Sequence, residues 1–137
     1  MSKSNQNAAV PKEPSLAVPP VKLAGFMAEA TRSSLPIDVR MTGNADSLVL
    51  AELENFLRKL HSETCRSGAA EVHLDVSELF FMNSSCMKLF VSWFTQLREL
   101  DPVQQYRVVV QSSPKLHWQA RSFDALRYIA NGLVTIS

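Results

Sequence analysis

The chain has 137 residues, 46% of them hydrophobic, with 14 basic against 13 acidic residues and a net charge of +1. That length fits one domain plus a tail, with enough apolar residues for an ordinary core. The charge balance gives no electrostatic footprint for nucleic acid, which normally needs a clustered basic face, and argues against a charge-driven membrane surface protein.

The apolar runs Leu79–Met82 and Leu89–Val91 fall far short of the roughly 18 residues of a spanning helix, so direct membrane insertion is not expected. MSKSNQNAAVPKEPS at the start has no apolar h-region and does not read as a signal peptide. The cysteines are Cys65 and Cys86, with no CxxC between them. A disulfide framework is therefore unexpected, and cytosol is the default compartment.

Residues 1–22 hold Pro11, Pro14, Pro19 and Pro20 among Ser, Asn, Gln and Ala. Such a segment buries too little apolar surface to offset its ordering entropy, and reads as a disordered tail before a single domain at 23–137. Residues 22–32 are compatible with a first edge strand or with a short helix around Phe26–Ala30. From Leu35 the pattern is cleaner. Leu35, Ile37, Val39 and Met41 alternate with polar residues and predict a half-buried strand. Gly43-Asn44 is expected to turn the chain, and Asp46 or Ser47 to cap a helix. Val49, Leu53, Phe56, Leu57 and Leu60 then share one helical face, and Gly68 ends it.

Val72, Leu74 and Val76 alternate with Glu71, His73 and Asp75, which predicts the next strand. A loop over Ser77–Asn83 is expected after it. A second helix from about Ser84 to Leu100 would turn Met87, Phe90, Val91, Phe94 and Leu97 inward, with Asp101-Pro102 as its stop. Tyr106–Gln111 is a third strand. Ser113-Pro114 suits a helix start; Leu116, Ala120, Phe123 and Leu126 continue it, with a break near Ser122. Gly132 and a last strand at Leu133–Ile136 follow. The order β-α-β-α-β-α-β implies mostly parallel crossovers. One polar strand face implies helices mainly on one side of a small mixed sheet. No GxGxxG and no GxxxxGK[ST] occurs, so no nucleotide loop or other cofactor is signalled.

The stretch V-H-L-D-V-S-E-L-F-F-M-N-S-S-C-M-K-L-F from Val72 resembles the STAS domain, the fold of bacterial anti-sigma factor antagonists. That family shows an LDLS-like strand end, an apolar stretch, then Asp-Ser-Ser-Gly opening a helix. Here Leu74-Asp75-Val76-Ser77 matches the first part. Leu79–Met82 supplies the apolar stretch, and Asn83-Ser84-Ser85-Cys86 stands where Asp-Ser-Ser-Gly would. The strand-helix order from about Leu35 onward also fits.

The resemblance implies a STAS-like α/β fold and a regulatory, non-enzymatic role. It makes Ser84 the phosphoacceptor, phosphorylated by an ATPase-fold kinase of anti-sigma type and dephosphorylated by a metal-dependent phosphatase. Asp75, Asn83, Ser85, Cys86 and Lys88 would support the site or touch the partner. A helix N-terminus favours added negative charge at Ser84, and Lys88 lies one turn on. Asn83 removes a charge relative to the family motif, and Cys86 adds a side chain where glycine is usual. A non-phosphorylated adaptor, for example on a transporter ATPase, is the second reading.

A thiol enzyme using Cys86 is the third reading, without a CxxxxxR loop or an assigned activating histidine. Ser84 and Ser85 could also be plain capping residues, and Asp75 a holder of the following loop. His61 and Cys65, one turn apart, make no metal site by themselves. Trp93 and Trp118 are expected in or at the edge of the core. An exposed Trp93 or Phe80-Phe81 pair would mark a protein contact.

Overall fold

The computed structural model describes residues 16–32 and 36–137. Six strands run β1 Val21–Leu23, β2 Phe26–Arg32, β3 Ile37–Ala45, β4 Glu71–Met82, β5 Arg107–Gln111 and β6 Val134–Ile136. Three helices lie between the later strands: α1 Leu50–Ser67, α2 Ser84–Arg98 and α3 His117–Arg127. Residues 22–32 are thus strand rather than helix, but as two antiparallel strands turning at Ala24-Gly25, and the edge is Val21–Leu23 while Phe26–Arg32 is paired on both sides. Leu35, expected to open the next strand, lies outside the described residues.

The strands are hydrogen-bonded in sequential order, β1 to β6. The first two pairings are antiparallel and the last three parallel. All three helical crossovers thus advance the same way across the sheet. Crossovers of one hand advancing one way place every helix on one face. Burial agrees: Ile37, Val39, Met41, Val72, Leu74, Val76, Val108 and Val110 are buried. The opposite face carries Glu29, Arg40 and Asp75 in one cross-strand row and Thr31, Asp38 and His73 in the next. The sheet is small, mixed and mostly parallel, with one covered face.

The predicted stripe of α1 is fully buried at Val49, Leu53, Phe56, Leu57 and Leu60. Gly68 closes the helix in the left-handed region at φ 72°, as glycine readily does. In α2 the buried residues are Cys86, Phe90, Trp93, Phe94 and Leu97. That corrects the sequence stripe, which placed Val91 inside; Val91 is exposed, while Trp93, expected in or at the edge of the core, is buried. Counting back from Leu97, positions i−3, i−4, i−7 and i−11 are Phe94, Trp93, Phe90 and Cys86, one continuous helical face. Phe90 meets Phe123 of α3 edge-on, centroids 5.9 Å apart, a favourable aromatic geometry. α3 runs unbroken through Ser122. Ser113 forms a turn ahead of it, its Oγ accepting from the Lys115 N–H.

Residues 16–22, assigned to the tail on composition, instead join the folded unit. The Ala17 N–H donates to Glu63 Oε1 at 3.3 Å, Val18 is buried, and Val21–Leu23 pairs with β2. Proline richness masked the contribution of Val18. Residues 1–15, the rest of the expected tail, lie outside the described residues.

Two further expectations are corrected around β3 and β4. Gly43-Asn44 does not turn the chain; β3 continues to Ala45. Gly43 sits at φ +91°, and a Cβ there would lie 1.9 Å from the Gly25 carbonyl oxygen, so only glycine fits this close approach. The expected loop at Ser77–Asn83 is strand up to Met82. Its alternation is hidden by two bulges. Arg40 pairs with Asp75 but Thr42 with Glu78, and Gly43 pairs with Leu79 but Asn44 with Phe81. Each bulge adds a residue on β4, which breaks the period of two on which sequence reading relies.

β5 pairs with β4 only up to Asp75, so β4 overhangs it from Val76 to Met82. α3 closes that open edge. The buried Gln119 donates from Nε2 to the Val76 carbonyl at 2.6 Å and the Leu79 carbonyl at 2.9 Å. Its Oε1 accepts from the Ser113 N–H at 2.9 Å. Trp118 Nε1–H donates to the Phe80 carbonyl at 2.9 Å. One amide side chain thus satisfies three backbone groups, two of them β4 carbonyls that a neighbouring strand would otherwise pair. Gln119→Ala is expected to lower the unfolding free energy by about 2–4 kcal/mol in urea denaturation. Gln119→Glu, which replaces the donor by a charge facing two carbonyl oxygens, is expected to cost more than alanine. Equal stability of all three proteins would refute this account of the edge.

Candidate functional site

The overhang of β4 delivers the chain to the start of α2. The Asn83 N–H donates to the Ala45 carbonyl at 2.9 Å, which joins the ends of β3 and β4. Asn83 has extended geometry, φ −80° and ψ 172°, and its Oδ1 accepts from the Cys86 N–H at 2.9 Å. This is an N-cap, which satisfies one of the unpaired donors of the first turn. Asparagine does this as aspartate would, without the charge.

Ser84 and Ser85 are the first two residues of α2, and both are exposed. Neither hydroxyl is engaged in a hydrogen bond among the described residues. Their positions place them at the end of the helix where backbone N–H groups and the macrodipole favour an anion. Neither serine is the cap, so the plain capping reading applies to Asn83 instead. Lys88 is exposed one turn further on.

Cys86 turns inward. It is fully buried, with Sγ 3.5 Å from the Asp46 carbonyl oxygen. Its side chain therefore fills the seam between the β3–α1 loop and α2 and leaves the outer surface of the turn open. Burial pushes the thiol up, with Asp46 adding to the effect. A nucleophilic cysteine needs the opposite shift. No group of three or more His, Cys, Asp and Glu side chains suited to a metal ion occurs among the described residues.

The structure brings Asn83, Ser84, Ser85, Cys86 and Lys88 together and leaves Asp75 apart. Asp75 pairs with Arg40 while Asn83 meets Ala45, five residues further along β3, a distance of roughly 16 Å at strand rise. Asp75 Oδ1 instead accepts from the Ser77 N–H at 2.9 Å and the Ser77 hydroxyl at 2.6 Å. It steadies the first bulge.

Three apolar side chains lie exposed around this end of the sheet: Leu48 at 69%, Phe80 at 58% and Phe81 at 49%. Phe80 and Phe81 are consecutive strand residues, which normally point to opposite faces; the second bulge exposes both. Leu48, in the loop held by Asp46 Oδ1 accepting from its N–H, was not singled out by sequence. The available signal was its position just outside the α1 stripe that begins at Val49.

No family model matches the sequence, and no curated protein matches it. Solved structures do. An anti-sigma factor antagonist from Mycobacterium paratuberculosis superposes with a TM-score of 0.57 at 13% identity, over 75% of this chain and 80% of that one. The anti-sigma factor antagonist SpoIIAA in its unphosphorylated form gives 0.53 at 14% identity, over 80% and 87%. At such identities the likeness is one of fold: the chain has a STAS-like fold of the kind seen in anti-sigma factor antagonists. No helix among the described residues is long and apolar enough to cross a membrane.

Two measurements check the junction. Asn83→Ala is expected to cost about 1 kcal/mol of stability, and Asn83→Asp to cost nothing or to stabilise slightly through the helix dipole. In a Cys65→Ser background, the Cys86 thiol is expected to resist a disulfide reagent at neutral pH until the protein is unfolded. Rapid reaction of the native protein would contradict its placement.

Proposed function

We propose that the chain is a non-enzymatic regulatory adaptor of anti-sigma factor antagonist type, acting in a bacterial cytoplasm. It docks a protein partner at the β4–α2 junction and is switched by phosphorylation of Ser84. The partner class is an ATPase-fold kinase or related anti-sigma regulator, with a metal-dependent phosphatase to reverse the modification. The observation that carries this reading is the Ser84 hydroxyl, exposed and unengaged at the N-terminus of α2, at the sheet end where Leu48, Phe80 and Phe81 are exposed.

Phosphorylation would add roughly −1.5 to −2 charges at neutral pH. The start of α2 offsets on the order of 0.3–1 kcal/mol of the cost of that charge, and Lys88 one turn on is placed to approach it. The helix can therefore tolerate the modification. The effect falls on the partner, which must meet a doubly charged group in the midst of an apolar contact. Burying an uncompensated charge costs far more than the apolar contact returns.

The N-cap at Asn83 and the inward Cys86 favour a second reading, a constitutive adaptor on a transporter ATPase or another assembly. The departures from Asp-Ser-Ser-Gly preserve the turn while removing the acidic neighbour that a kinase of this type would meet. The two readings separate on one pair of variants and one mass measurement. Ser84→Asp is expected to weaken partner binding at least tenfold by calorimetry, and Ser84→Ala to retain it. Intact mass of protein from its native cell is expected to show a phosphorylated fraction. Binding unchanged by Ser84→Asp, with phosphate absent under all growth conditions, would replace the switch by the constitutive adaptor.

A further inference from the structure

Trp93 lies nine residues beyond Ser84, roughly 14 Å along α2, and belongs to a hydrogen-bonded chain that the junction does not use. Its indole N–H donates to Tyr106 Oη at 2.7 Å, and His61 Nδ1 lies 2.7 Å from the same oxygen. The three residues come from α2, the start of β5 and α1. Trp93 and Tyr106 are buried, while His61 is half-buried. It borders a cleft of about 70 Å³ between α1 and α2.

The direction of the bonds follows from what each group can do. An indole N–H only donates, so it occupies a lone pair of the phenol oxygen. The phenolic O–H then needs an acceptor, and His61 Nδ1 is the one within reach. Both bonds to Tyr106 Oη are made without conflict when His61 is neutral with its proton on Nε2. A second proton, on Nδ1, turns that acceptor into a donor. The buried phenolic proton then has no partner, the costly half of a broken hydrogen bond. Tyr106 cannot escape by ionising, because burial drives its phenol well above the ordinary range.

We propose that Trp93, Tyr106 and His61 form a proton-operated latch across the α1–α2 seam, closed by neutral His61 and opened by its protonation. The charged groups around His61 do not override this. Glu54 and Arg58 of α1 line the same cleft with opposite signs, and α2 contributes the uncharged Leu89, Ser92, Trp93 and Gln96. Cys65, one turn along α1, is kept neutral because burial raises its thiol, so it places no charge beside the latch.

Burial lowers the His61 pKa from its ordinary 6.5. The folded chain therefore binds fewer protons than the unfolded one. The stability of the seam is complete above the unfolded value and declines as pH falls from about 6.5 through the lowered folded value. The latch stands apart from the role of Ser84, and its test reads the seam alone.

The test follows the Trp93 indole N–H resonance of the full chain from about pH 7.5 to about pH 4.5, assigned with a Trp118→Phe variant. A single step with its midpoint below about 6.5 is expected. The step should vanish in His61→Gln, which keeps an acceptor and does not titrate, and persist in His73→Gln and His117→Gln. A step that survives in His61→Gln, or a wild type with no step, overturns the latch. Tyr106→Phe gives a second arm. Without a phenolic proton to orphan, the His61 ring resonance should titrate at higher pH than in the wild type. An unchanged or lowered midpoint also overturns it.

Discussion

The side of β4 that faces β5 is unpaired by any strand from Val76 to Met82, and the position of the first turn of α2 depends on side chains closing that edge. A strand edge buried without partners would be expensive, and left open it would invite another chain to pair. Gln119 answers both demands by placing an amide where a strand would have placed backbone. β3 holds the other side, through to the bond between Asn83 and Ala45. With both sides fixed, the first turn of α2 projects beyond the sheet on a rigid stalk. Ser84 and Ser85 are therefore exposed on the first turn of a helix rather than on a long loop.

The same economy explains the two substitutions within the serine turn. Asn83 retains the acceptor oxygen that caps α2, so the turn keeps its shape after losing a charge. Cys86 is the first residue of the buried stripe of α2 and packs against the β3–α1 loop. A side chain at that position stabilises the joint and leaves the outer surface alone.

Much of this was legible in the sequence. The stripe of α1 is apolar at helical spacing over three turns, and its five residues are all buried. The polar residues alternating through Glu71–Asp75 pointed to a sheet with one covered face, and the sequential strand order makes that face unique. The serine turn at the head of α2 was visible from its residue types. What escaped was long-range or aperiodic. Two inserted residues in β4 cancel its alternation, so Leu79–Met82 looked like loop. The role of Gln119 depends on carbonyl groups 40 and 43 residues earlier in the chain, which no local pattern encodes. Val91 and Trp93 exchanged places because the buried face of α2 is turned about the helix axis toward α1, where Trp93 reaches Tyr106, and no pattern within α2 alone shows which way its apolar face is turned. The contact of Asp46 with Cys86 likewise joins residues far apart in sequence.

The sequential strand order also sets how this domain can be wired into something larger. β1 and β6 occupy opposite edges of the sheet, five strand spacings apart, or roughly 24 Å. A segment entering before β1 and one leaving after β6 are therefore delivered to different sides of the domain. A neighbour fused at one side need not crowd a neighbour fused at the other, and neither edge lies at the end of the sheet where α2 begins. Joining its two ends directly, as circular permutation requires, would take a linker long enough to cross the width of the sheet.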